Sequence, residues 1–272
     1  MTRLDVQPVL DEGDALRLLR HGEFELEGRL VDASNTTLRG FLTLDGVTAR
    51  CVYKPVRGER PLWDFPDGTL AGREVSAYLV SRATGWRLVP PTVLRDGPLG
   101  PGACQLWIDE PDDGEALVGF VPAFELPSGW FRIASARDEE GTAYALAHAD
   151  DPRLARMAVF DAVINNGDRK GGHVLVGADA QVFGVDHGVS FNVDDKLRTV
   201  LWGWTRERLP DEAVDVLERL GSALRGPLGE QLAVHLAGAE VERTRERLEL
   251  LLATGRFPTP SDDWPAVPWP PI

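Results

Sequence analysis

The run Asn165–Asn192 reads NNGDRKGGHVLVGADAQVFGVDHGVSFN. Two short apolar segments, His173–Val176 and Gln181–Val185, flank Gly177-Ala178-Asp179-Ala180, and this pattern predicts a β-hairpin. Asp168 leads into the hairpin and Asp186, in Val-Asp-His-Gly, ends it. A hairpin that carries one acid in and another out can present both at one mouth. There one carboxylate can accept a proton from a hydroxyl while the other holds a metal ion on a phosphate.

The chain around this segment has 272 residues, 43% of them hydrophobic, enough for one large domain or two modest lobes. A net charge of −14 argues against nucleic acid and against anionic membrane surfaces, since both repel such a protein. Cys51 and Cys104 are too few for a disulfide framework and predict a reduced, cytoplasmic protein with small buried thiols. Met1–Arg20 has no continuous apolar core of the kind a signal peptide carries. No run approaches the roughly 18 apolar residues of a membrane span, so no membrane insertion is expected. Of the three lysines, Lys54 and Lys170 fall where phosphate chemistry calls for a compact ammonium, and Lys196 does not.

Along the chain, Asp11–Leu19 predicts a short amphipathic helix, and Phe24–Val31, Leu38–Leu44 and Thr48–Tyr53 predict three strands. Asp45-Gly46 is a tight hairpin turn between the last two. A Pro- and Gly-rich loop, Arg57–Gly68, precedes a helix over Thr69–Thr84, with Gly85 as its terminator. Val89–Leu94 and Ala103–Ile108 complete a five-stranded N-terminal lobe with one main helix, ending at Asp109, and Asp112–Glu115 reads as the linker. From there the pattern reads as helical. Asp151-Pro152 starts a helix, as an N-cap aspartate with proline at the first helical position. Asn165-Asn166-Gly167 ends it just before Asp168. Further helical patterns lie at Asp211–Leu220, Leu228–Ala237 and Val241–Thr254. The tail Pro258–Ile272 reads as extended. The implied division is an N-terminal lobe over 1–109, a C-terminal lobe over 110–257 and a Pro/Trp-rich tail over 258–272. Strands first and helices second is the order of a two-lobed α+β fold.

Gly167, Asp168 and Arg169, then His173, a hairpin, and Val185, Asp186 and Gly188 form a spacing that resembles the catalytic and metal-binding loops of the protein-kinase-like superfamily. The likeness is greatest to its phosphatidylinositol 3-/4-kinase and HipA-type branch, where Gly-Asp-Arg, an asparagine, a hairpin and Ile-Asp-x-Gly follow in order. The resemblance implies a protein-kinase-like fold that binds ATP with Mg²⁺ or Mn²⁺.

It also implies roles for particular residues. Lys54, ending the strand Ala49–Lys54, would contact the nucleotide phosphates and pair with Glu74 on the following helix. Ser34, Asn35 and Thr36, with Thr37, fall where the family covers the phosphates. They form a Ser-rich turn without the glycine pattern of protein kinases. Gln105, Trp107 and Ile108 lie in the segment joining the lobes, where backbone groups would pair with an adenine edge and Trp107 could wall the base. Asp168 would accept or orient the attacking hydroxyl, and Lys170 would meet the phosphoryl group in transit. Asp186 would be the main metal ligand. His173 replaces the family's asparagine, so either its imidazole favours Mn²⁺ over Mg²⁺ or one metal site is lost. Arg169 braces the loop and His187 is structural in this reading.

Three functions remain open from sequence. The first is phosphoryl transfer to a hydroxyl of a protein or small molecule, with nucleotidyl transfer as a variant using the same parts. The second is a pseudokinase, a nucleotide-binding regulatory or scaffold module without turnover. The third, a metal-dependent hydrolase using Asp168, His173, Asp186 and His187, leaves Lys54 and Glu74 unexplained.

Overall fold

The computed structural model describes residues 7–29, 35–111, 114 and 116–272. Helix α1, Glu12–His21, is capped by Asp11, whose carboxylate accepts the Asp14 N–H at 2.8 Å. Its Ala15, Leu16, Leu18 and Leu19 are buried beneath the first sheet. That sheet comprises β1 (Glu23–Arg29), β2 (Leu38–Leu44), β3 (Val47–Pro55), β4 (Thr92–Gly97) and β5 (Gly100–Leu106). It is antiparallel in the order β1-β2-β3-β5-β4. Asp45 and Gly46 take φ of +52° and +81°, as a two-residue hairpin requires. Register sets Val52 opposite Gln105 and Lys54 opposite Ala103, so these four side chains share one face. Cys51, Tyr53 and Cys104 lie on the other face and are fully buried.

Helix α2, Leu70–Thr84, links the two halves of the molecule. Thr69 caps it by accepting the Gly72 N–H (2.9 Å), and Gly85 ends it with φ of +76°. The helix is buried on nearly every side, because the sheet covers one flank and later helices cover the others. The second half holds α3 (Pro152–Ile164), α4 (Asp211–Leu224), α5 (Pro227–Leu232) and α6 (Gly238–Thr254). Asp151 caps α3 through the Arg153 N–H (2.8 Å), with Pro152 at its first position and Asn165 left-handed at its end. One continuous apolar core runs from Leu16 through α3 to Phe257.

The fold is the expected α+β one, with one addition. Where the sequence reads as helical after the linker, Val118–Pro122, Trp130–Arg137 and Ala143–Ala149 form a three-stranded antiparallel sheet, and we label these strands β6, β7 and β8. Their order is β6-β8-β7. The central strand, AYALAHA, is built on alanine, a strong helix former, and only the pairing on both sides makes it extended. His148 on that strand is fully buried. It gives Nδ1–H to the Ala149 carbonyl (2.8 Å) and accepts the Gly203 N–H at Nε2 (3.1 Å). Other boundaries shift. The strand expected at Val89–Leu94 begins only at Thr92, after Pro90-Pro91, which cannot donate to a ladder. Residues 112, 113 and 115 of the expected linker lie outside the described residues. The tail, expected to be extended, holds neither helix nor strand and is docked through bends, with the Ala266 carbonyl accepting both the Thr199 N–H (3.0 Å) and Trp202 Nε1–H (2.8 Å).

Candidate active site

The predicted hairpin forms as β9 (Val174–Val176) and β10 (Val182–Gly184), closed by Gly177–Ala180. His173 does not begin the strand but ends a 3-10 turn, Gly171–His173. Asp186, just past β10, has φ of +63°, a left-handed conformation that aspartate tolerates better than most residues. There its carboxylate meets β3. Lys54 Nζ bonds Asp186 Oδ1 at 2.7 Å and also forms a short ion pair with Glu74 Oε1. The second oxygen of Glu74, Oε2, accepts the His187 backbone N–H at 3.0 Å. Strand β3, helix α2 and the Val-Asp-His-Gly turn are thus tied at one point. Burial by itself would lower the Lys54 pKa, but the carboxylates of Asp186 and Glu74 outweigh it and raise it. The Lys54 charge in turn holds the Asp186 carboxyl well below the usual carboxylate range.

The loop between α3 and the hairpin is fixed from beneath. Arg169 is fully buried and pairs with the equally buried Asp161 of α3, at 2.9 Å through both Nε and Nη2. Its Nη1 donates to the carbonyls of His173 (3.1 Å) and Val185 (3.0 Å), and its Nη2 lies 2.7 Å from His187 Nε2. A guanidinium can only donate, so His187 Nε2 accepts and its proton sits on Nδ1. Burial keeps His187 neutral. Gly184 is required here because a Cβ would stand 2.8 Å from the Arg169 guanidinium. Asn166 continues the brace, bonding Asp161 through Nδ2 (3.0 Å) and accepting the Asp168 N–H (3.0 Å).

On this platform Asp168 faces the cleft, with Lys170 Nζ 3.6 Å from its Oδ2. Burial raises the Asp168 pKa, opposed by Lys170 and Arg198. His173 gives Nδ1–H to the Asp168 carbonyl at 2.9 Å, which leaves its Nε2 lone pair 3.4 Å from Asp186 Oδ2. Burial pushes the His173 pKa down to about 4, so the imidazole is neutral at pH 7. Two acceptor atoms therefore face each other without a proton between them, an arrangement suited to a shared cation. Among the described residues, no group of three or more His, Cys, Asp or Glu side chains could hold a metal by itself. The pair supplies one oxygen and one nitrogen, a donor set that suits Mn²⁺ better than Mg²⁺.

A cleft runs between the halves. Asn35, Thr36 and Thr37 line it from above, with Lys54, Glu74, Asp168, Asp186 and Gly188. Asn35 Oδ1 accepts the Arg60 N–H (2.8 Å), pinning the turn to the following loop; Ser34 lies outside the described residues. Gln105 lines an adjoining recess with Val52, Lys54 and Glu74, its amide bonded to Thr92 Oγ1 at 2.8 Å. Trp107 and Ile108 line neither space. The Trp107 N–H donates to the Arg50 carbonyl (3.1 Å), its carbonyl accepts from Gln7 Nε2 (3.0 Å), and Arg39 lies over its ring.

Sequence reading did not single out Asp161 or Glu59, and took Asn166 only as part of the turn that ends the helix. Glu59 holds the start of α2, accepting the Leu70 and Ala71 N–H groups at 3.0 and 2.8 Å. A carboxylate inside the apolar stripe Leu154–Ile164 was the available signal for Asp161. The tail reaches the same loop, where the Pro271 carbonyl accepts the Gly171 N–H at 2.8 Å. Lys196 acts as an anchor, bonded to Asp64 (3.0 Å) with its ammonium 5.0 and 4.2 Å from the rings of Trp63 and Trp264.

No protein-family profile matches the chain. It is 50% identical over 265 residues to protein Rv2133c of Mycobacterium tuberculosis, spanning 94% of this chain and 95% of that protein. The chain belongs to the family of Rv2133c. Among solved structures, a Golgi casein kinase superposes with a TM-score of 0.55 and 16% identity, covering 89% of this chain and 74% of that one. The Golgi casein kinase with Mn and ADP bound gives 0.55 and 15%, over 89% and 75% of the two chains. Fam20 of hydra, with sugar, gives 0.55 and 14%, over 88% and 86%. At such identity the likeness is one of fold, and the fold is kinase-like. Among the described residues, no helix is long and apolar enough to cross a membrane.

Proposed function

We propose that the protein is an ATP- and metal-dependent phosphotransferase that transfers a phosphoryl group to a hydroxyl of a protein or small molecule. The observation that carries this reading is the convergence of Lys54, Glu74 and Asp186, from three separate elements, on a cleft that Asp168 also faces. In this reading Glu74 holds Lys54 against the nucleotide phosphates, and Asn35 and Thr36 cover them. Gln105, in the adjoining recess, lies beside the base, and Trp107 and Ile108 stand further along the same segment, away from it. Asp186 and His173 hold the divalent ion, which would neutralise charge on the phosphates. Asp168 orients the acceptor hydroxyl and takes its proton, and its raised pKa suits a base more than a permanently ionised carboxylate. Lys170, beside it, faces the group in transit. The Gly-Asp-Arg and Val-Asp-x-Gly pattern supports a place near the phosphatidylinositol 3-/4-kinase and HipA-type branch.

In the same reading residues 1–109 bind the nucleotide, 110–257 carry the catalytic loop and 258–272 strap across it. The two free, buried cysteines support a reducing, cytoplasmic setting. The Golgi casein kinase of similar fold holds Mn and ADP, which agrees with the nucleotide and metal assigned here.

A second reading, a pseudokinase that binds nucleotide without turnover, is favoured by His173 in place of the family's asparagine. One experiment separates the two. ATP labelled at the γ or the α phosphate is offered with Mn²⁺ to the protein and to Asp168→Ala, with the protein itself, cell extract and water as acceptors. Transfer of γ label, reduced on the order of 10²–10⁴-fold in Asp168→Ala with ATP affinity retained, is the expected result. Transfer of α label means nucleotidylation. If ATP binds and neither label moves, the pseudokinase reading stands. Absence of ATP binding would overturn both, and binding indifferent to metal and to Asp186→Ala would overturn the first.

A further inference from the structure

A second cavity, of about 410 Å³, lies in the C-terminal half and shares no lining residue with the cleft. This volume is within the roughly 300–1,000 Å³ of small-molecule sites. Its walls are chiefly apolar: Leu197, Leu250, Leu251 and Phe257. Three arginines, Arg206, Arg247 and Arg256, also line it, in a chain whose net charge is −14. The acidic side chain Asp195 is balanced by Arg243 and Arg247.

Arg247 is the decisive residue. It is 8% exposed, and its Nε and Nη2 are used up by Asp195 Oδ1 (2.9 Å) and the Asn192 carbonyl (2.6 Å). Its Nη1 is buried and has no hydrogen-bond partner among the described residues. A buried charged donor left without an acceptor is costly, and an anionic group in the pocket would satisfy it once a small shift of the guanidinium brought Nη1 to the lumen.

We propose that this pocket binds a small amphipathic anion, a carboxylate or phosphate carried on an apolar chain. The head takes the free Nη1 of Arg247 and the charge of Arg206 and Arg256, and the chain lies on Leu197, Leu250, Leu251 and Phe257. Guanidinium groups match both head groups in geometry. The occupant would also bear on the candidate active site. Asn165, which lines the pocket, ends the helix leading to Asp168. Its amide holds the Asn192 and Asp194 carbonyls (3.0 and 2.6 Å) and accepts the Lys196 N–H (3.0 Å). Filling the pocket would therefore stiffen the segment 192–197 that follows Asp186.

The test uses the full chain without nucleotide, so its outcome is independent of the phosphotransferase reading. Decanoate, decyl phosphate and decanol are titrated by calorimetry, and amide exchange is followed over 192–197. At least one anion should bind, with decanol at least about tenfold weaker, and exchange over 192–197 should slow. The tighter of the two anions identifies the head group. Arg247→Met should weaken binding by a similar factor. Because Arg247 also holds the 192–194 carbonyls and the Asp195 carboxylate, two variants at exposed positions accompany it: Leu250→Asp, and Arg206→Glu with Arg256→Glu. Each should weaken binding at least about tenfold while leaving the unfolding temperature of the empty protein unchanged. The proposal is overturned if neither anion binds, if decanol binds as tightly, if exchange over 192–197 is unaltered, or if the exposed variants bind as the parent does.

Discussion

Arg169 and Lys54 both bond to the Val185–His187 turn, and they are satisfied in opposite ways. Arg169 is sealed beneath the loop with every N–H of its guanidinium directed at an acceptor: both oxygens of Asp161, two carbonyls and one imidazole nitrogen. Lys54 stands at the cleft, its side chain 24% exposed, and its partner Asp186 is 54% exposed. A saturated, dry network has nothing left to offer a ligand and acts through geometry alone. A network open on one side keeps charge and lone pairs in reserve. Side chains of the same chemical type thus divide into scaffold and candidate chemistry according to how many of their bonds are already made.

The sharpest way to break that division is at Arg169. Arg169→Met leaves Asp161 as a buried carboxylate without its counter-charge, along with two carbonyls and one imidazole nitrogen without a donor. Removing one partner of a buried pair typically costs about 3–5 kcal/mol. Urea unfolding should show a loss of that order, or failure to fold. A loss below about 1 kcal/mol would mean that the network is not the scaffold it looks to be. Lys54→Met, by contrast, should cost far less stability and act mainly on nucleotide binding.

Glu74 sits between the two regimes, 4% exposed on its side chain yet bonded to the half-open Lys54. Both of its oxygens face donors, the Lys54 ammonium and the His187 N–H. Glu74→Gln must turn its NH₂ toward one of them, setting donor against donor. We expect about 1–3 kcal/mol lost on unfolding, together with weaker ATP binding, since Lys54 loses the carboxylate that fixes it. Unchanged stability with normal ATP affinity would show that α2 and the turn are not coupled through this side chain.

How far these features could be read in the sequence follows the range of the interaction that makes them. Asp151-Pro152, Thr69 with Gly85, and Asp45-Gly46 are local signals, and each marks an element boundary within a residue or so. The hairpin and its two aspartates were legible for the same reason. Lys54 and Glu74, far apart in sequence, were linked only through a family resemblance. Asp161 and Arg169 are harder, because a buried ion pair leaves only an out-of-place charge in an apolar stripe. The β6-β8-β7 sheet was hidden by alanines in its middle strand, whose extended form is imposed by neighbours on both sides. The second cavity has no linear signature, since Arg206, Arg247 and Arg256 come from separate segments.

His173 gives the smallest expected effect and the finest resolution of the comparison, since it belongs to both networks. Its carbonyl accepts from Arg169 on the sealed side, while its Nε2 faces Asp186 on the open side. Replacing the side chain leaves that carbonyl in place, so His173→Asn should alter stability little. What changes is the donor atom beside Asp186, from an imidazole nitrogen to an amide oxygen. Mg²⁺ prefers oxygen, whereas nitrogen is better accepted by Mn²⁺. ATP affinity measured in each metal should therefore favour Mn²⁺ in the parent. In the variant the ratio should move toward Mg²⁺ by on the order of tenfold, equivalent to about 1.4 kcal/mol. The same titration in Asp186→Ala should abolish the metal dependence altogether. A variant that keeps the parent's metal ratio would assign His173 to the sealed network alone, as a side chain that only holds the Asp168 carbonyl.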